Sequence, residues 1–144
     1  LIGFFVLDNF FYCFIRCRVI QSTHILTVKS TLYEANELTV DMFGNAYYQD
    51  ELFYVTAHGH VNVLRPKFSM NKYIGLFFTT SIKTMFMQKY GFSDMCTQKV
   101  LKVEKIYLPK AADGNPDWCY MEDYMKSVEI RVKNSIQNLL QLMN

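Results

Sequence analysis

The chain has 144 residues, of which 51% are hydrophobic, 16% aromatic and 19% charged. This length suits one domain with a real core, and the composition excludes a disordered chain. A net charge of +2 does not by itself indicate a nucleic-acid partner. The four cysteines at 13, 17, 96 and 119 form no disulfide framework, so we expect free thiols in a reducing compartment.

The first fifteen residues, LIGFFVLDNFFYCFI, are almost wholly apolar. Arg16 and Arg18 follow this run instead of preceding it, which is not the pattern of a signal peptide. The run is shorter than the roughly 20 apolar residues of a spanning helix, and it contains Asp8. We expect a buried strand or core helix. The alternatives are a membrane anchor and, since the first residue is not Met, sequence outside the functional unit.

Short runs of β-branched and aromatic residues follow, and turn signals separate them. They predict strands over 38–40, 46–48, 52–55 and 60–64. Gly44 and Asn45 are typical of a tight hairpin turn, and a second turn is expected near Gly59. We therefore predict a small antiparallel sheet.

The apolar period then changes to helical spacing. It predicts a helix from an N-cap at Ser69 to a stop at Gly91. Residues 100–108, VLKVEKIYL, return to a strand-like pattern that ends at Pro109. Strands followed by helices indicate an α+β fold.

The clearest local signal is a long C-terminal helix over 116–143. Asn115 is the expected N-cap, and Pro116 suits the first helical position. Apolar residues recur in steps of three and four, close to the heptad seam of a coiled coil. A helix packed back on its own sheet is the alternative to a partner helix. The predicted seam is Trp118, Met121, Met125, Val128, Val132, Ile136, Leu139 and Met143.

Charge is unevenly distributed along the chain. Residues 1–59 carry −3, residues 60–110 carry +7 and residues 111–144 carry −2. A basic middle block suggests a polyanionic partner, although a solvated lysine-rich surface would look the same. The lysines expected to contact phosphates are Lys67, Lys72, Lys83, Lys89, Lys99, Lys102 and Lys105.

Base reading requires donors and acceptors that reach the major groove. The candidates near the predicted loops are Gln49, His58, His60 and Asn62; local hydrogen bonding is their alternative role. His58 and His60, even with Cys13 and Cys17, match no strong zinc pattern, so no metal site is predicted. The sequence has no Gly-rich cofactor loop and no nucleophile elbow, so no catalytic residues are predicted.

Six segments together resemble the DNA specificity subunits of type I restriction-modification systems. TVDMFGNAYYQ (39–49), HGHVNVL (58–64) and NKYIGLF (71–77) resemble the target recognition domain of that family. KIYLP (105–109), DGNPDW (113–118) and YMEDYMK (120–126) resemble its junction with a long spacer helix. The resemblance covers about residues 36–144. Residues 1–35 do not match the expected opening of the domain, so an incomplete or truncated domain is one alternative.

The resemblance implies a recognition domain over 1–112 and a spacer or coiled-coil helix over 113–144. It implies a non-catalytic, cytoplasmic subunit that reads double-stranded DNA and looks like half of a two-domain specificity subunit. The implied partners are a methylase subunit, a restriction and motor subunit, and a second recognition domain from another copy or a companion chain. S-adenosylmethionine is expected on the methylase, with no cofactor in this chain. The alternative function is a coiled-coil interaction module, associated with a membrane through the apolar N-terminus.

Overall fold

The computed structural model describes residues 2–6, 10–20 and 30–143. In chain order the elements are β1 (Ile2–Val6), β2 (Phe11–Ile20), β3 (Ser30–Tyr33), β4 (Glu37–Asp41), β5 (Ala46–Gln49), β6 (Phe53–Pro66), α1 (Lys72–Phe86), α2 (Gln98–Leu101), β7 (Lys105–Pro109) and α3 (Trp118–Leu142). All of these strands pair antiparallel, and β1 and β7 form a separate two-stranded sheet. The predicted α+β fold with a long C-terminal helix is confirmed. The apolar N-terminal run forms β1 and the start of β2.

The main sheet is built around β6, which pairs with β2, β3 and β4. Its register with β2 shifts abruptly, because Arg16 is paired with Val61 whereas the next residue, Cys17, is paired with Thr56. Residues 57–60 are therefore looped out of this ladder as a large bulge. The prediction of two separate strands, 52–55 and 60–64, is wrong. Long-range pairing with β2 and β3 keeps them in one strand, and the expected turn becomes the bulge.

The predicted hairpin joins β4 to β5. The Asp41 Oδ1 atom accepts hydrogen bonds from the backbone N–H groups of Phe43 and Asn45, each at 2.9 Å. Gly44 has a φ of +82°, a conformation that glycine adopts without steric cost. This local chemistry fixes the turn at the position that the sequence predicts.

Helix α1 covers one face of the sheet. Asn71, two residues after the predicted Ser69, caps it by accepting a hydrogen bond from the Ile74 N–H at 3.0 Å. Gly75 lies under the Tyr48 ring of β5, where a Cβ atom would overlap the ring. The helix ends at Phe86, before the predicted stop at Gly91, and Gln88 follows in a left-handed conformation. The core behind it is Leu38, Val40, Ala46, Leu64, Met70, Ile74, Phe78, Ile82, Phe86, Cys96, Leu101, Ile106, Leu108 and Met121.

A second buried cluster lies apart from this core, among side chains of β3 and β6. Tyr33 and Phe53 stack there with ring centroids 5.5 Å apart. With Val55 and Val63 they form a second, smaller cluster of buried residues. The first four residues of β4 are all buried, including the polar residues Glu37 and Thr39.

The segment predicted as a strand over 100–108 is only partly extended. Residues Gln98–Leu101 form the helical turn α2, and the strand β7 begins at Lys105. Leu101 is buried in the core. Among residues 100–104 only Leu101 is buried, and a turn follows it. The alternation of apolar residues in this segment therefore does not reflect a strand.

Helix α3 begins two residues later than predicted. Asp117 is the cap and accepts a hydrogen bond from the Tyr120 N–H at 2.9 Å. Asn115 is instead held by Asp113, whose Oδ1 accepts the Asn115 N–H at 2.9 Å. The first half of α3 packs on α1, whereas every side chain from Arg131 to the end of the helix is exposed.

Candidate nucleic-acid interface

Lys99 lies in α2, and Lys102 is the C-cap residue directly after it. They are three residues apart on one helical turn, so they project from the same side, and both are exposed. Leu101 anchors this turn in the core, and α2 contacts β2. Within the described ranges, no carboxylate lies within ion-pair distance of either lysine. Both charges are therefore available to a polyanion.

Two other predicted lysines are already paired within the domain. Lys72 lies 3.2 Å from Glu129 of α3, and Lys89 lies 2.6 Å from Glu104. The Tyr90 hydroxyl also donates to Glu104, at 2.7 Å, and burial together with this bond raises the pKa of Tyr90. These lysines join parts of the fold, so their contribution to phosphate binding is reduced.

The remaining predicted lysines are exposed at three places. Lys83 of α1 lies over the Tyr47 ring, 4.6 Å from its centroid. Lys105 is the first residue of β7, and Lys67 directly follows β6. The structure thus brings Lys99 and Lys102 together and distributes the other lysines over several elements.

The two amides predicted as base readers lie inside the domain. Gln49 is 5% exposed, and its Nε2 donates to the Thr39 hydroxyl at 2.9 Å. Asn62 is 4% exposed, and its Nδ2 donates to the Cys96 carbonyl at 3.0 Å. This second bond ties the segment before α2 to the sheet. Both amides therefore make local hydrogen bonds, the role named above as the alternative to base reading. We leave them out of the candidate interface.

The two candidate histidines belong to the bulge in β6. Only the backbone of His58 and His60 is described; their side chains lie outside the described part of the structure. Their assignment to DNA stays a prediction.

Arg65 is a candidate that the sequence analysis misses. Its Nε donates to Glu37 Oε1 at 2.5 Å, and the arginine side chain is 44% exposed whereas that of Glu37 is 2% exposed. Burial raises the pKa of Glu37 although the Arg65 bond opposes the shift. The Glu37 Oε2 atom has no hydrogen-bond partner among the described residues.

This contact gives Arg65 a fixed direction at the end of β6. A guanidinium that is both oriented and exposed suits phosphate or guanine recognition. No signal in the sequence marks this residue, because its partner is 28 positions away.

The structure divides the predicted partner-helix seam into a part that packs on the domain and an exposed distal part. Met121 is fully buried in the domain core, and Trp118 packs on Phe68 with ring centroids 4.6 Å apart. Their packing suits the alternative of a helix folded on its own domain. The distal members Val132, Ile136, Leu139 and Met143 are between 51% and 83% exposed. Only this distal part of the seam presents a free apolar surface.

Among residues 2–6, 10–20 and 30–143, no helix is both long and apolar enough to cross a membrane. In the same ranges, no three His, Cys, Asp or Glu side chains are grouped so that they could hold a metal ion.

The structure resembles the S subunit of a type I restriction-modification system from M. genitalium, with a TM-score of 0.52 and 11% sequence identity. The match covers 98% of this chain and 43% of that subunit, so this chain spans less than half of its length. A search of curated proteins finds no match.

A family-level sequence comparison matches residues 6–141 to the type I restriction modification DNA specificity domain. The match begins at residue 6, so it includes most of the first 35 residues, which the sequence analysis sets apart. Because the match spans nearly the whole sequence, the chain belongs to the family of type I restriction modification DNA specificity domains.

Proposed function

We propose that this chain recognises a short sequence in double-stranded DNA and directs separate methylase and nuclease subunits to it. The domain has no catalytic role of its own in this proposal. It acts in the cytoplasm as the specificity component of a restriction-modification complex. Membership of the DNA specificity family supports this assignment. The alternative of a membrane-associated interaction module has no such support from the family match.

The observation that carries the proposal is the exposed pair Lys99 and Lys102, which no carboxylate neutralises within the described residues. Their turn, α2, lies against β2, and β2 is the strand paired with the Arg65 end of β6. Leu101 of α2 shares its core with Leu64, whereas Arg65, the next residue of β6, points to the opposite face of the sheet, so Arg65 is a separate basic position. Lysines neutralise phosphates and set register, whereas arginine also suits base recognition.

The proposed partners follow from a non-catalytic specificity role. A methylase subunit would bind S-adenosylmethionine and transfer the methyl group, and a restriction and motor subunit would cut the DNA. A second recognition domain, from another copy or a companion chain, would read the other half of a split site. The exposed distal half of α3 supports pairing with such a domain.

The test is the salt dependence of duplex DNA binding. The double variant Lys99→Ala/Lys102→Ala should flatten the slope of log K against log salt by about two, since each phosphate contact contributes about 0.9. Lys133→Ala, which removes a charge bonded to Glu129 on α3, is the matched control and should leave the slope unchanged. Equal slopes for the double variant and the wild type would contradict this interface.

A further inference from the structure

Two exposed phenylalanines meet at the surface beside the main sheet. Phe43 lies in the turn between β4 and β5, and Phe92 lies in the loop between α1 and α2. Their ring centroids are 5.1 Å apart in an edge-to-face arrangement, and we call this pair the aromatic tip. Phe92 is 78% exposed and Phe43 is 38% exposed. Burying the Phe92 ring against another molecule is therefore favourable.

Each phenylalanine of the aromatic tip is held by a turn that hydrogen bonds close. Phe92 is at the apex of a turn whose ends, Gly91 and Asp94, exchange two backbone hydrogen bonds of 3.1 and 3.2 Å. Phe43 lies two residues after Asp41, whose carboxylate accepts the Phe43 N–H at 2.9 Å. Because both turns are fixed in this way, little conformational entropy is lost when the exposed ring binds.

The aromatic tip is connected directly to the exposed lysines of the proposed DNA interface. The Cys96 N–H donates to the Met42 carbonyl at 2.9 Å, so the two loops of the tip are bonded to each other just before α2. Lys99 is three residues beyond Cys96, at most about 11 Å along the chain. Lys102 follows within the next helical turn. A duplex whose phosphates contact these two lysines is therefore within reach of the aromatic tip.

The chemistry of the aromatic tip suits bases and not phosphates. A phenylalanine ring carries no charge and no hydrogen-bond donor for a phosphate oxygen, whereas it can stack on a nucleobase or insert between two base pairs. The Asp41 carboxylate is occupied by the N–H groups of its own turn. Asp94, in the turn that presents Phe92, is exposed, and its charge opposes contact between this turn and the phosphate backbone.

We propose that Phe92 enters the base stack of the bound duplex as a wedge and stacks on a nucleobase, with Phe43 positioning its ring. Lys99 and Lys102 hold neighbouring phosphates and supply affinity that depends on salt, whereas the wedge supplies affinity that does not. Because pyrimidine–purine steps are the easiest to unstack, the wedge favours such a step. The inference rests on the proposed DNA recognition and names a residue that contacts the bases.

Binding of the full chain to a pool of mixed-sequence duplexes tests the wedge. Phe92→Ala should bind about 5- to 100-fold more weakly at fixed salt, the usual effect of removing one side chain that stacks on a base. The slope of log K against log salt should stay that of the wild type, since no phosphate contact is lost. Phe43→Ala should show a smaller loss of the same kind. Leu52→Ala is the control and should bind as the wild type does, because Leu52 is 57% exposed but follows the end of β5 opposite the hairpin turn.

Tryptophan fluorescence distinguishes base stacking from other contacts. Phe92→Trp keeps an aromatic ring at the apex of the turn, and the wild type, whose only tryptophan is Trp118, gives the background emission. Duplex DNA should quench the added emission and protect it from acrylamide, because stacking on a base quenches an indole and excludes the quencher. Leu52→Trp is the matched control and should keep its emission.

Unchanged affinity of Phe92→Ala, a flattened salt slope, or unquenched Phe92→Trp in bound DNA would each overturn the wedge. Normal DNA binding by Phe92→Ala with loss of methylase assembly would assign the aromatic tip to a protein contact and overturn it as well. In these cases a wild type that binds duplex DNA with the expected salt slope leaves the proposed function intact. A wild type that does not bind duplex DNA would reject the proposed function itself and the wedge with it.

Discussion

At the scale of single residues, Glu129 connects the long helix to the domain. It accepts hydrogen bonds from the Tyr73 hydroxyl at 2.9 Å and from Lys72 at 3.2 Å, and Lys133 lies 3.3 Å away. These groups lower its pKa to about 2, chiefly through the Tyr73 bond. The carboxylate therefore stabilises the fold at pH values above its ordinary pKa of 4.5, and this contribution is lost as the pH falls toward 2.

Glu129→Gln should consequently lower the melting temperature at neutral pH. The difference from the wild type should shrink as the pH falls from about 4.5 to about 2, because the wild-type carboxylate is then protonated. Calorimetry over this pH range measures the effect. Asp123→Gln, which removes an exposed carboxylate from the same helix, is the control; an equal loss in both variants would contradict the assigned role of Glu129.

The sequence identifies the lysines of the candidate interface but neither Arg65 nor which lysines are available. Lys72 and Lys89 look equivalent to Lys99 and Lys102 in the sequence. Their acidic partners, Glu129 and Glu104, are 57 and 15 positions away, and only the tertiary fold brings them together. The same limitation applies to Gln49 and Asn62, whose polar character suggests a surface although their amides hydrogen-bond inside the sheet.

At the scale of elements, the contact between α1 and β5 depends on Gly75. A Cβ atom at this position would overlap the Tyr48 ring. Gly75→Ala should therefore destabilise the protein by about 1–3 kcal/mol, the usual cost of overpacking, despite the better helix propensity of alanine. Urea denaturation measures this loss. Gly75→Ala combined with Tyr48→Leu should recover part of it, and a single variant as stable as the wild type would contradict the packing.

The two halves of α3 should respond differently to a buried charge. Val132→Asp should leave the domain folded and convert a paired protein into a monomer, because Val132 is 51% exposed in one chain. Met121→Asp should prevent folding, because Met121 is fully buried. Circular dichroism and sedimentation at micromolar concentration separate the effects. A monomeric wild type would refute pairing through the seam.

Elements defined by local chemistry are the ones that the sequence predicts. The hairpin at Gly44 and the long uninterrupted C-terminal helix depend on neighbouring residues, and both are present. The continuity of β6 and the helical turn α2 depend on distant strands and on the burial of Leu101, and both are predicted wrongly. The division of the helix seam at Met125 also requires the tertiary structure, because α1 covers only its first half.

At the scale of the whole molecule, the fold separates two surfaces. The exposed lysines Lys99 and Lys102 carry the proposed DNA interface, and the exposed distal half of α3 is the proposed pairing surface. The family resemblance in the sequence predicts both roles. The availability of Lys99 and Lys102 and the exposure of the distal half of α3 follow only from the tertiary structure.

The central claim is that this domain specifies a DNA sequence for a separate methylase. The direct measurement is methylation of a random duplex library by the chain combined with its methylase and S-adenosylmethionine. We expect methylation at one split site whose two halves are identical and inverted, because an antiparallel pair of identical chains places identical domains at opposite ends. Lys99→Ala/Lys102→Ala should lower the yield at that site without changing its sequence, since phosphate contacts carry no base information. Sequence-independent methylation, or none with an active methylase present, would contradict the account.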